Sequence, residues 1–168
     1  PDLRGSLSLR TLTQVGSGST AYRTNACATT CSSPNGWVID LPDSGERVNL
    51  APQLQLGTIV FLSNVPSPSV CLTGGYGWVN FMDYRTGGTV ATSPDLASSR
   101  RFDTTIDVGG VITRQTDKTV IITVRGADSG GTGKDSSDSD RVNDPRYALP
   151  YVTPPPSGKR VSWREIIE

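Results

Sequence analysis

Apolar and polar positions alternate in short runs along most of this chain, and the runs are separated by glycine, proline and aspartate. Leu3, Leu7 and Leu9 alternate with Gly, Ser and Arg as far as Thr13, the period of an edge or outer strand with one wet face. The stretch Gly16 to Asn35 is small and polar, which predicts a loop. Trp37 to Leu41 reads as a strand, and Pro42-Asp43-Ser44-Gly45 as a turn whose Gly45 accepts positive φ. Gln53 to Ser63 carries the next strand, centred on Gly57-Thr58-Ile59-Val60-Phe61-Leu62. That run is short and β-branched, as in a strand buried on both faces. Pro66 and Pro68 mark a loop, because proline cannot donate to a ladder. Val108 to Thr113 and Lys118 to Val124 predict a hairpin around Gln115-Thr116-Asp117.

One phrase occurs twice. Gly36-Trp37-Val38-Ile39-Asp40-Leu41-Pro42-Asp43-Ser44-Gly45 and Gly77-Trp78-Val79-Asn80-Phe81-Met82-Asp83-Tyr84-Arg85-Thr86-Gly87 each combine Gly-Trp, an apolar strand, an Asp and a turn closed by Gly. Trp37 and Trp78 are 41 residues apart, within the roughly 40–50 residues that separate successive four-stranded propeller blades. The spacing predicts an all-β fold of consecutive four-stranded antiparallel blades. At 168 residues the chain is short for a closed propeller, so it reads as a fragment of a larger toroid. Trp37 and Trp78 are then packing residues that define the repeat, with Gly45 and Gly87 closing the turns.

Three stretches divide the chain. Residues 1–125 hold the predicted blades. Residues 126–150 are dominated by Gly, Ser, Thr, Asp and Lys, too polar to offset their ordering entropy, and predict an exposed flexible loop. Residues 151–168 form a closing segment in which Pro154-Pro155-Pro156 is a stiff spacer. There Trp163, Ile166 and Ile167 fall at near-helical spacing.

Composition narrows the function. Sixteen basic and sixteen acidic residues give zero formal charge, which removes the electrostatic case for nucleic acid or an anionic membrane surface. No stretch is long and apolar enough for a transmembrane helix, and the opening residues have neither a basic nor an apolar leader region, so any targeting segment is expected to have been removed or to lie upstream. With no histidine, Ser-His-Asp and Cys-His catalysis and His-ligated metals are excluded. The three cysteines without a histidine fit no usual zinc pattern. Cys27 and Cys31 flank Ala28-Thr29-Thr30, where a disulfide would pin a hairpin tip in an oxidising compartment. Cys71 is then left over, paired outside this sequence or buried as a thiol.

Other motifs are weaker. Gly130-Gly131-Thr132-Gly133-Lys134 opens no helix and is no phosphate cradle. The acidic run around Asp135, Asp138 and Asp140 lacks the spacing of a calcium loop and its distal Glu. Asp83-Tyr84-Arg85-Thr86-Gly87 resembles the turn of quinoprotein-type propellers, a packing device that says little about catalysis.

The order Gly36-Trp37-Val38-Ile39-Asp40-Leu41-Pro42, Ser44-Gly45-Glu46-Arg47-Val48, Gly57-Thr58-Ile59-Val60-Phe61, Pro66, Cys71, Gly74-Gly75, Trp78 and Thr86-Gly87-Gly88 resembles the C-terminal propeller of the PilC/PilY family of type IV pilus tip proteins. Lys159-Arg160-Val161-Ser162-Trp163-Arg164-Glu165 resembles that family's C-terminal signature. The resemblance implies a secreted, non-enzymatic protein of a Gram-negative bacterium, exported through the periplasm to the pilus tip. It implies docking on minor pilins, contact with the remaining blades of the parent chain, a part in pilus assembly and adhesion to host or abiotic surfaces. No cofactor is expected. Many relatives carry a calcium loop after the Thr-Gly-Gly turn, but Ser93 to Asp103 has only Asp95 and Asp103 as acids, with Arg100 and Arg101 between them, so no calcium ligand carries over. The alternative reading is a propeller-type carbohydrate-binding module or a quinoprotein-like enzyme fragment.

Overall fold

The computed structural model describes residues 4–27, 31–67, 75–102, 105–114, 120–128 and 146–151. Ten strands run through them: β1 Ser8–Val15, β2 Tyr22–Asn25, β3 Trp37–Asp40, β4 Gln53–Gln55, β5 Thr58–Pro66, β6 Gly75–Asp83, β7 Ala97–Phe102, β8 Thr105–Arg114, β9 Val120–Asp128 and β10 Arg146–Ala148. The fold is all-β.

Strands β4, β5, β6 and β7 form a sequential antiparallel meander, the connectivity of one propeller blade. The β4–β5 link is a two-residue turn in which Leu56 (φ 49°) and Gly57 (φ 78°) are both left-handed, the geometry that matches the twist of the flanking strands. The same sheet continues beyond β7 through β2 and β1 to β3, which pairs parallel with β1 from Ser8↔Trp37 to Thr11↔Asp40. Strands β8, β9 and β10 form a second antiparallel meander. The arrangement is consistent with part of a β-propeller.

The seven-stranded sheet is curled into a half-barrel. In a flat sheet β3 and β5, five strand spacings apart, would be separated by about 24 Å. Instead Trp37 and Ile39 of β3 share a cluster with Leu12, Phe61 and Met82 on the concave face. The convex face carries Val60, Leu62, Val79 and Phe81, which pack against Val120, Ile122 and Val124 of the second sheet and against Leu149. Thr58 Oγ1 donates to the Pro150 carbonyl at 3.0 Å, fastening the chain after β10 to the start of β5.

Several elements depart from the reading of the sequence. The stretch Gly16–Asn35 contains β2, whose inward side chains are the buried polar Arg23 and Asn25. β7 likewise buries Ser98 and Ser99. Hydropathy cannot show a strand whose inner face is polar. The stretch 126–150, expected as a flexible loop, lies in strands near both ends. β9 continues through Asp128, β10 occupies Arg146–Ala148, and Leu149 joins the core. Residues 129–145, Cys71, and the closing segment from residue 152 with Trp163 lie outside the described residues.

The two Gly-Trp phrases lie in one sheet and in unequal positions. The first makes the edge strand β3, stopped after four residues ahead of Pro42. The second makes the inner strand β6, where Phe81 and Met82 supply apolar groups to both faces.

Candidate functional site

The concave face of the half-barrel is crossed by the segment between β3 and β4, and this segment carries the turn Asp43–Glu46. The Glu46 N–H donates to the Asp43 carbonyl at 3.1 Å, and Gly45 takes φ +76° with open space around the position of a Cβ. Gly45 is therefore needed for its backbone conformation and not for room. Arg47 then pairs with Asn64 of β5 in an isolated antiparallel bridge, which holds the segment against the sheet.

Beneath this turn lies Arg23 of β2, fully buried. Its Nη1 donates to Glu46 Oε1 at 2.9 Å and its Nη2 to Oε2 at 2.8 Å, a bidentate pair in which neither side chain reaches solvent. Asp43 Oδ2 lies 2.8 Å from the same Nη2. That oxygen also accepts the Trp78 indole N–H and the Tyr76 hydroxyl, each at 2.9 Å. The guanidinium lies over the Trp78 ring, 3.8 Å from its centroid. Stacking on an aromatic face suits its Nε, which is buried without a hydrogen-bond partner.

The network runs on across the sheet. Ser63 Oγ donates to Glu46 Oε1 at 2.5 Å, Asn80 Nδ2 to Ser63 Oγ at 2.9 Å, and Ser99 Oγ to Asn80 Oδ1 at 2.6 Å. Register explains the alignment: Arg23 pairs with Ser99, Ser99 with Asn80, and Ser63 with Trp78, so these side chains share the concave face. Burial, reinforced by the hydrogen bond to Asp43 and its negative charge, raises the Tyr76 hydroxyl above its ordinary value, against the opposing pull of Arg101 and Arg23. The phenol is held as a donor.

A second anchorage closes the opposite rim. Trp37 Nε1 donates to the Tyr84 carbonyl at 3.0 Å, Arg10 Nε and Ser33 Oγ donate to the Thr86 carbonyl, and Asn25 Nδ2 donates to the Gly87 carbonyl at 2.8 Å. Gly87 has φ +66°, and a Cβ there would fall 2.3 Å from the Trp37 ring. The first Gly-Trp phrase thus packs its indole on the glycine that ends the second. Cys27 and Cys31 are joined by a disulfide beside this turn, and the Cys27 carbonyl accepts the Thr89 N–H.

Of the predicted structural residues, Gly45 and Trp78 meet in the Arg23 network, and Trp37, Gly87, Cys27 and Cys31 meet at the far rim. Sequence reasoning missed Arg23, Asp43, Tyr76 and Arg10. Only Glu46 had a signal, inside the Gly-Glu-Arg-Val motif. Chemically the concave face is a closed lock: the carboxylates of Asp43 and Glu46 are committed to Arg23 and to neutral donors. Among the described residues no group of three acids, cysteines or histidines converges as a metal site, and no helix is long and apolar enough to cross a membrane.

On the convex side, Leu50, Ala51, Val60, Leu62, Gly110 and Ile122 line a cleft of about 250 Å³ between the two sheets. It opens where β4 leaves β5: ladder pairing ends at Gln53↔Val60 and resumes only at the Arg47–Asn64 bridge, with Pro52 between.

No family model matches the chain, and no solved structure matches it. Among curated proteins, the Type IV pilus biogenesis factor PilY1 homolog of Xylella fastidiosa (strain Temecula1) is 35% identical over 89 residues, covering 48% of this chain. The chain is similar to part of a pilus biogenesis factor. It spans 6% of that relative's length.

Proposed function

We propose that this chain is a non-enzymatic part of a type IV pilus tip protein that docks minor pilins and supports pilus assembly and surface adhesion. The observation that carries the reading is the 35% identity over 89 residues to a type IV pilus biogenesis factor. The geometry lends support in two ways. Glu46, from the Gly-Glu-Arg-Val motif that prompted the resemblance, anchors the most buried polar network of the half-barrel. The Cys27–Cys31 disulfide suits export through the periplasm to the cell surface.

A sugar platform or a carboxylate-driven enzyme is less well supported. Trp78 is fully buried, the Trp37 ring rests on Gly87, and Glu46 and Asp43 Oδ2 are engaged by Arg23, Trp78 and Tyr76. The test is a pull-down of the same strain's minor pilins by the full-length parent protein. Capture of a stable complex is expected, and no complex at micromolar concentrations would defeat the docking role.

A further inference from the structure

The turn Thr86-Gly87-Gly88-Thr89 is gripped by two arms of the chain, and the Cys27–Cys31 disulfide joins them. The first arm is the end of β2. Asn25 Nδ2 donates to the Gly87 carbonyl at 2.8 Å, the Cys27 N–H donates to Asn25 Oδ1 at 3.0 Å, and the Cys27 carbonyl accepts the Thr89 N–H at 3.2 Å. The second arm leads into β3. Ser33 Oγ donates to the Thr86 carbonyl at 2.9 Å, and Arg10 bridges that carbonyl, through Nε at 2.8 Å, to the Ser32 carbonyl, through Nη2 at 3.0 Å. The Ser33 carbonyl then accepts the Gly36 N–H, and the Gly36 carbonyl accepts the Ser8 N–H, where the pairing of β3 with β1 begins.

The two arms are held unequally. β2 lies between β1 and β7, whereas β3 is four residues long, has β1 as its one neighbour among the described strands, and contains no fully buried residue. The second arm also covers a cation at a cost. Arg10 is only 7% exposed, and its acceptors are oxygens of Leu9, Ser32, Ser33 and Thr86, with no carboxylate among them. Lifting the arm would return this guanidinium to water, which favours the open state. The covalent tie from Cys31 back to β2 opposes it.

We propose that the Cys27–Cys31 disulfide is a redox latch for β3. Oxidised, it keeps Ser32 and Ser33 on the turn and the Trp37 ring on Gly87. Reduced, it lets the second arm and β3 leave the sheet while β5 and β6, at its centre, stay paired. The switch goes beyond the pilus reading and does not depend on it. Neither cysteine is fully buried, so a small dithiol reaches the bond. A thiolate of the dithiol attacks one sulfur, the S–S bond breaks and a mixed disulfide forms. The second thiol of the reductant then closes its own disulfide and releases both cysteines as thiols, two electrons and two protons having passed to the protein. The half-barrel is therefore open at β3 in a reducing compartment and closes in an oxidising one.

The experiment is amide hydrogen exchange, read peptide by peptide by mass spectrometry, on the full-length parent protein in wild-type and Cys27→Ser/Cys31→Ser forms. Local opening raises exchange only in the segment that opens. Without reductant, the variant is expected to exchange at least about tenfold faster than wild type over Trp37–Asp40 and over the 86–89 turn, within the loop-closure contribution of so short a disulfide. Exchange over Thr58–Pro66 and Gly75–Asp83 is expected to be unchanged. Dithiothreitol is expected to give wild type the variant's pattern, oxidised glutathione to reverse it, and the variant to respond to neither in these segments. Should the variant fail to fold, the reversible change in wild type carries the test. Unchanged exchange over Trp37–Asp40 after reduction overturns the latch. Equal acceleration in β5 and β6 also overturns it, because the disulfide then staples the whole fold.

Discussion

Arg23 and Glu46 meet as a fork-to-fork pair, 2.9 and 2.8 Å between nitrogen and oxygen, with both side chains wholly withdrawn from solvent. The pair joins β2, third of the seven strands of the curled sheet, to the segment that crosses its concave face. The fold therefore depends on a charged contact at its centre, and its partners are Asp43, Trp78 and Ser63.

Removing one member leaves the other charge buried without compensation, which typically costs 3–5 kcal/mol. Glu46→Ala is expected to lower the unfolding free energy by about that amount in urea titrations. The double variant Arg23→Met/Glu46→Leu is expected to recover much of the loss, because replacing a whole buried pair by apolar groups is often neutral. Equal losses in the single and double variants would count against a charge-centred lock.

At Gly87 two costs coincide: a left-handed backbone (φ +66°) and a Cβ position 2.3 Å from the Trp37 ring. A non-glycine residue in that backbone region costs of order 1–3 kcal/mol, and the displaced indole loses its bond to Tyr84. Gly87→Ala is expected to destabilise by more than Gly45→Ala, since Gly45 has open space for a Cβ. Tryptophan fluorescence of the Gly87 variant is expected to shift to the red as Trp37 leaves its seat.

The Cys27–Cys31 disulfide closes a small loop, with the cysteines four residues apart. Chain-entropy arithmetic for a loop of this size gives about 2 kcal/mol. Cys27→Ser/Cys31→Ser is expected to lower stability by that order in the oxidised protein. Adding reductant is expected to bring the wild type down to the level of the variant and leave the variant unchanged.

Tyr76 gives the fold an alkaline limit. Its hydroxyl is raised above the ordinary value of 10.0, chiefly by burial and then by Asp43. A group whose pKa is higher when folded contributes stability that is complete below its unfolded value and is lost as pH rises through the folded one. Stability is expected to hold to about pH 10 and then fall. Tyr76→Phe is expected to flatten that decline in urea titrations at pH 8 and pH 11.

Strand content was legible in the sequence where burial is apolar. The run Thr58–Leu62 gave β5, the hairpin of β8 and β9 followed from Val and Ile, and the second Gly-Trp phrase gave β6. β2 and β7 were not legible, because Arg23, Asn25, Ser98 and Ser99 turn polar groups inward and reverse the pattern that hydropathy detects. The Gly-Trp repetition marked two strands correctly but not their neighbours. Sequence similarity between β3 and β6 says nothing about which lies at an edge, and pairing is decided by contacts between distant residues. Asp43 looked like an ordinary turn residue for the same reason: Trp78 and Tyr76, which give it its role, lie more than thirty positions further on.

The account is tested most directly by surface piliation in the organism. Deleting this segment in frame from the parent gene is expected to abolish surface pili, as counted by electron microscopy. Wild-type copy is expected to restore them, and a copy carrying Glu46→Ala to fail or restore them only in part. Normal piliation in the deletion strain would contradict a role for this chain in pilus biogenesis.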